Sequence, residues 1–163
     1  MPSPDTFSIP PISRLLDRWL DGRISILDPF SRNSKRGTLT NDLNPKIDAM
    51  YHMDAVEFLD LMVSSGVIAD CFLFDPPYSP RQISECYHGI GRQVTASDTR
   101  SANLYKRVKD AADASMAKGA IAICFGWNSG GMGKTRGYKL EEILLVAHGG
   151  AHNDTIVTVE TKE

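Results

Sequence analysis

The stretch Cys71-Phe72-Leu73-Phe74-Asp75-Pro76-Pro77-Tyr78 constrains this chain more than any other. Its first four residues form a continuous apolar run, which predicts a short, fully buried strand. Proline donates nothing to a sheet ladder and fixes its own φ, so the strand must stop at Asp75. In an open parallel sheet, ligands bind just beyond the carboxyl ends of the strands. A stiff corner there, carrying one charge and one aromatic face, has the makings of a site. Asp-Pro alone is a common strand terminator; all four residues in this order, straight after a buried strand, favour a site.

The surrounding pattern says what kind of sheet this is. Residues 1–11 hold four prolines and read as an N-terminal arm, extended by Phe7. Ile12, Leu15, Leu16, Trp19 and Leu20 recur at helical spacing, and Gly22 ends that helix. Short strands are expected at Ile24–Leu27 and Thr38–Thr40, with Tyr51–Asp54 extended and a helix at Ala55–Val63. After the strand at 70–74 come a long polar segment (79–103), a helix at Leu104–Ala117 capped by Lys118-Gly119, and an apolar strand at Ala120–Phe125. A glycine-rich loop (126–139) precedes strands at Ile143–Ala147 and Thr155–Glu160, joined by a turn. Strands alternating with helices predict a mostly parallel, doubly wound sheet, and the last two strands a C-terminal antiparallel hairpin.

Length and composition set the outer limits. The 163 residues, 42% hydrophobic and 23% charged, suit one domain with a single core. A formal charge of −2 gives no global basic field, so nucleic-acid binding would need a local patch. Cys71, Cys86 and Cys124 form no CxxC pair, which argues against a disulfide framework or a zinc site. No apolar run reaches the roughly 18–20 residues that span a bilayer, and a cytoplasmic location is expected.

Acids fall at the ends of successive strands: Asp28, Asp42, Asp54 and Asp75. Asp42 follows the second strand, where a carboxylate commonly bonds ribose hydroxyls. Asp54 could meet the exocyclic amine of an adenine. Aspartate also suits turns and helix N-caps, so each taken singly is ambiguous. At the corner, Asp75 and the Pro76 carbonyl could both accept from one planar amine, localising its lone pair and making it more nucleophilic. Tyr78 offers a ring for a flipped base, worth about 1–3 kcal/mol of stacking.

These residues resemble the amino-directed DNA methyltransferases, which methylate adenine N6 or cytosine N4 from S-adenosylmethionine. Asp75-Pro76-Pro77-Tyr78 is similar to their catalytic motif, in the form typical of adenine enzymes. Asp28-Pro29-Phe30 looks like the start of their cofactor motif. Asp42 with Leu43, and Asp54 with Ala55, fall where the family's ribose- and adenine-binding acids sit. Phe7-Ser8-Ile9 resembles the segment that closes over the methionine end of the cofactor. Phe125-Gly126-Trp127 ends the strand expected to border the target-base pocket. The resemblance covers roughly residues 6–160 and implies a Rossmann-like methyltransferase fold without a metal. It also implies a double-stranded DNA partner with its target base flipped out, in a small, phage-like form that would work in a host cytoplasm. The family's glycine-rich turn is missing: Ser31 to Arg36 holds no glycine, so either the loop takes another path with Asn33 in the left-handed conformation, or cofactor binding is weakened. No separate target-recognition domain fits, so sequence choice would rest on segments 79–103 and 126–139 or on a second copy in a homodimer. Arg81, Trp127, Asn128, Lys134 and Arg136 are the candidate base and DNA contacts. The alternatives are a binding module that has lost catalysis, or a methyltransferase acting on RNA or on a protein glutamine amide.

Other motifs carry less. Gly133-Lys134-Thr135 lacks the glycine that a phosphate loop needs at position 128, which is Asn. His148 and His152 sit across a turn with Asp154 and read as exposed polar residues.

Overall fold

The computed structural model describes residues 5–77, 84, 87, 88, 91, 101–150 and 153–163. Tyr78, Arg81 and nearly all of segment 79–103 therefore lie outside the described residues, as does His152. A six-stranded sheet in the order β2-β1-β3-β4-β6-β5 forms the framework. Its strands are β1 (Ile26–Asp28), β2 (Leu39–Thr40), β3 (Ala69–Phe74), β4 (Met116–Gly126), β5 (Tyr138–Val146) and β6 (Thr155–Lys162). The first four run parallel; β6 is antiparallel to both β4 and β5. The C-terminal hairpin thus folds back, with β5 on the outer edge and β6 between it and β4. Helices α1 (Pro10–Leu20), α2 (Ala55–Ser64) and α3 (Ser101–Ser115) pack on this sheet.

Strand alternation divides the core into two layers. Cys71 and Leu73 of β3, with Ile121, Ile123 and Phe125 of β4, pack under Ile12, Leu15 and Leu16 of α1. Phe72, Phe74, Ala122 and Cys124 point the other way, against Phe58, Leu59 and Met62 of α2 and Val108 and Ala112 of α3. Small residues on β4 make room for the phenylalanines of β3. Phe72 has no exposed surface, and truncating such a side chain to Ala costs roughly 3–5 kcal/mol.

Four sequence expectations shift. Residues 6–11 are not an arm: Thr6–Ser8 is a 3-10 turn, and Pro10-Pro11 are the first residues of α1. Proline there loses nothing, since those N–H groups have no helical partner. Strand β1 begins at Ile26, because the Ile24 and Ser25 N–H groups are taken by the Asp70 carboxylate. Lys118-Gly119 does not cap α3; the helix ends at Ser115 and both residues lie in β4. There the register jumps from Ala69↔Met116 to Cys71↔Ile121, and Gly119 takes φ +79°. Strand β5 starts five residues early, at Tyr138, with an irregularity between Leu140 and Glu142.

Candidate functional site

The chain runs from β1 outward to β2, then crosses back to place β3 on the other side of β1. The strand order reverses there, and a crevice opens between the carboxyl ends of the diverging strands. Leu27 pairs with Phe72, so Asp28 and Asp75 end the two strands that flank this switch point.

Asp28 is fully buried. Its Oδ1 accepts a long bond from the Phe30 N–H (3.4 Å), and its Oδ2 has no hydrogen-bond partner. Gly37 packs so tightly behind it that a Cβ there would lie 2.6 Å from the Asp28 Cβ. Burial, with the charges of Asp75 and Asp42 adding to it, pushes the Asp28 carboxyl up to about 8. Asp75 is buried as well.

The proline corner is braced from α3. Tyr105 Oη donates to the Pro77 carbonyl at 2.6 Å, and its ring stands edge-on to Phe74 at 5.6 Å. Burial, then the charge of Asp75, raises the Tyr105 hydroxyl to about 12, so it remains a donor. Phe30 meets the same Phe74 ring edge-on at 6.0 Å, and the Lys109 ammonium lies 5.2 Å from its centroid. The two strand-end corners therefore share one aromatic wedge. Pro76 is buried beside it.

A cleft with about 240 Å³ of open space faces this corner, lined by residues 5–7, residues 30–34 and Asp75. Phe7 is fixed by its ring contact with Phe125, 5.0 Å between centroids. Ser8 and Ile9 do not line it; Ser8 is exposed and its hydroxyl bonds to the Asp5 carbonyl. The loop after Phe30 is held from below. Ser31 N–H donates to the Asn41 carbonyl, Arg32 N–H to Asp42 Oδ2, and the buried Asn41 amide to the Pro29 and Met53 carbonyls. The residue in left-handed conformation is Arg32 (φ +50°), not Asn33. Anchoring its N–H on Asp42 offsets a strain of about 1–2 kcal/mol for a non-glycine residue.

Asp42 and Asp54 are placed differently. Asp42 is half-buried and accepts from two backbone N–H groups, Arg32 on Oδ2 (3.0 Å) and Asn44 on Oδ1 (2.8 Å). Asp54 caps α2 through Val56 N–H (2.9 Å), and its Oδ2 accepts from Tyr87 Oη (2.8 Å). Leu43 is half-buried, and Ala55 starts α2 as a core residue. A carboxylate has about four acceptor positions, so each acid keeps capacity for a further bond.

Phe74 pairs with Cys124, which sets Trp127, 46% exposed just past β4, one strand away from the proline corner. Asn128 is exposed and closes a local turn, its Oδ1 accepting the Gly130 N–H. Lys134 is exposed. Arg136 is not an open cation: it forks onto Asp110 and donates to the Met132 carbonyl. The buried Glu160 accepts the Met132 and Gly133 N–H groups, and Lys109 donates to the Gly131 carbonyl. The glycine loop is thus tied down by residues the sequence reading passed over. Glu160 was hidden by its alternating strand, Lys109 by a charged helix face, Tyr105 by amphipathic periodicity. At the last turn, Asp154 Oδ1 accepts the His148 N–H, as a turn aspartate does. Among the described residues no group of His, Cys, Asp and Glu could hold a metal, and no helix is long and apolar enough to cross a membrane.

No protein-family model and no curated protein matches the sequence. Solved structures do match in shape. TrmN from Thermus thermophilus superposes with a TM-score of 0.60 at 18% identity, over 94% of this chain and 49% of that one. NSun6 from Pyrococcus horikoshii, solved with SFG, gives 0.59 at 15%, over 92% and 51%. The N-methyltransferase NodS from Bradyrhizobium japonicum WM9 gives 0.60 at 11%, over 98% of both chains. The chain spans about half the length of the first two. Together with the sheet order, these place the chain in a class: its fold is the Rossmann-like methyltransferase fold.

Proposed function

We propose that the protein is an S-adenosylmethionine-dependent methyltransferase acting on the exocyclic amino group of a DNA base, adenine N6 in the first instance. The observation that carries this is the meeting of Phe30, from the corner after β1, with Asp75, from the corner after β3, around one cleft at the switch point. The cleft suits the methionine end of the cofactor. Among the described residues, Asp5 and Asp75 stand on its lining against the one cation Arg32, a balance that suits a cationic ligand group better than an anionic one. Asp42 and Asp54 would hold the nucleoside end with their remaining acceptor positions. The cofactor, when bound, supplies an electrophilic methyl group.

The chain's own residues do the rest. Asp75 and the Pro76 carbonyl accept the two N–H groups of the target amine and aim its lone pair. The Pro77 carbonyl, bonded to Tyr105, fixes the corner's geometry and does not take part. Tyr78 stacks the flipped base, with Trp127 bordering the pocket, and positioning supplies most of the rate. Phosphate contacts would come from Lys134 and Arg81, since Arg136 is committed to Asp110. A homodimer would add recognition surface from a second copy.

Incubation with methyl-labelled S-adenosylmethionine and DNA, RNA or protein, followed by nucleoside and amino-acid analysis, tests this. Label in N6-methyladenine of DNA is expected; label only in RNA or in glutamine amides would move the acceptor. A second reading, a binding module without catalysis, draws on Asp42, whose carboxylate already holds the Arg32 backbone. Absence of both calorimetric heat and thermal shift with S-adenosylmethionine would favour it.

A further inference from the structure

We propose that the outer edge of β5 pairs with the same strand of a second copy, antiparallel about a two-fold axis at Leu144, joining two six-stranded sheets into one. This rests on no part of the cofactor reading and holds or fails without it. Two independent observations fall on the same short segment, Ile143-Leu144-Leu145-Val146. The first concerns the edge. Among the described residues β5 pairs only with β6, and its two halves guard the open side differently. The first half has the protection that edge strands need: an irregularity between Leu140 and Glu142, with Lys139 bonded to Glu141 beside it. From Ile143 to Val146 the register is regular, and the segment holds no charge and no proline. An edge of that kind accepts another strand.

The second concerns the side chains. Leu144 and Val146 pack toward α1. Ile143 and Leu145 point to the opposite face, where they stay 51% and 62% exposed, with Leu140 on the same side at 45%. A hairpin face turned to water carries polar residues at such alternate positions. Here it carries three aliphatic ones in a row on an outer strand.

The segment is its own complement, and this selects a second copy as the occupant. Pairing about Leu144 sets Ile143 opposite Leu145 twice on the exposed face, and Glu142 opposite Val146 twice on the other. No like charges come face to face. Each Glu142 keeps its own Arg18 and Trp19 as donors, so closing the seam leaves no carboxylate stranded. Moving the axis to Leu140 would bring Lys139 opposite Glu141, but it would put the irregularity in the seam and leave Ile143 and Leu145 outside it. Antiparallel pairing points the parallel strands of the two copies in opposite directions, so a second copy lies beside each cleft and not across it. The seam is short for a permanent dimer, which makes reversible association with Kd on the order of 1–100 μM the expectation.

Sedimentation velocity of the full chain from about 1 to 300 μM tests this. A concentration-dependent dimer is expected. Ile143→Glu and Leu145→Lys should each weaken it at least about tenfold, because each sets a charge against an aliphatic partner. An equimolar mixture of the two variants should associate about tenfold more tightly than either alone, since the introduced acid then faces the introduced amine. Both positions are exposed, so circular dichroism and the urea midpoint should stay at wild-type values. Should either variant fold poorly, amide exchange of the wild-type chain decides, with protection at 143–146 expected to rise with concentration. A wild-type monomer throughout the range, or a dimer indifferent to both substitutions, would overturn the proposal. So would a mixture no tighter than its components, or exchange at 143–146 that ignores concentration.

Discussion

Four aspartates stand near the carboxyl ends of the parallel strands, and they spend their oxygens in two ways. Asp42 and Asp54 are half-buried, and each bonds two donors of the protein itself. Asp28 is sealed in the interior with one long bond and one orphaned oxygen, while the buried Asp75 lines the cleft. Burying a carboxylate with so little to bond costs several kcal/mol, and the Asp28 carboxyl responds by holding its proton well above the usual range. The first pair stabilises the chain it belongs to. Asp28 does the reverse, its orphaned oxygen a cost to the fold, while Asp75 stands on the cleft. The comparison can be broken at each acid in turn.

Asp75 carries the largest expected effect. Asp75→Ala should lower methyl transfer by at least about a thousandfold, because it removes an acceptor that positions and activates the amine. Cofactor affinity by calorimetry should stay within about tenfold. Transfer at the wild-type rate would remove Asp75 from the chemistry.

Asp28 comes next, and its signature is a pH dependence. Its carboxyl is raised from 3.8 to about 8 in the folded protein. Between those values the unfolded chain has lost this proton while the folded chain keeps it. Folding then binds the extra proton, so stability falls as pH rises and levels off above about 8. In Asp28→Asn the Oδ1 can still accept the Phe30 N–H, but nothing titrates. Urea unfolding from pH 5 to 9 should show the variant gaining on wild type as pH rises, by about 1–3 kcal/mol in all. A constant difference across that range would mean Asp28 ionises normally in the fold.

The contrast between the pairs was only half legible in the sequence. Buried strands 71–74 and 120–125, the α2 boundaries and the proline corner follow from apolar runs and breakers, which act locally. The acids were visible by their strand-end positions, but their partners were not. Arg32 N–H lies ten residues from Asp42, and Tyr87 thirty-three from Asp54. The same distance problem misassigned Arg136, whose partner Asp110 sits on α3 twenty-six residues away. Lys118-Gly119 read as a cap because Gly after Lys is a good one locally; only the pairing of Met116 with Ala69 draws those residues into β4. The glycine expected near Asp28 is present after all. It is Gly37, packed behind the acid rather than in front of a ligand.

Asp54 should behave as a structural residue first. Asp54→Ala removes the α2 cap, worth about 0.5–2 kcal/mol. It also removes the Tyr87 bond, a further 0.5–1.5 kcal/mol or so. Denaturant unfolding should therefore show a loss of about 1–3 kcal/mol with the m-value unchanged. Asp54→Asn, which keeps one carbonyl oxygen for the cap, should recover part of it.

Asp42 is the sharpest test of the comparison because its stability effect should be the smallest. Asp42→Asn retains one acceptor oxygen, so one of the two backbone donors, Arg32 or Asn44, loses its charged partner, at about 0.5–1 kcal/mol. If Asp42 only supports the loop, the loss ends there and S-adenosylhomocysteine binds as before. If its remaining acceptor positions hold ribose hydroxyls, affinity for that ligand should drop about tenfold or more, with stability scarcely changed. The split matters because the amide cannot both accept from the backbone and accept a second hydroxyl pair as a carboxylate does. An unchanged affinity would take Asp42 out of the ligand's contacts and leave it wholly to the fold.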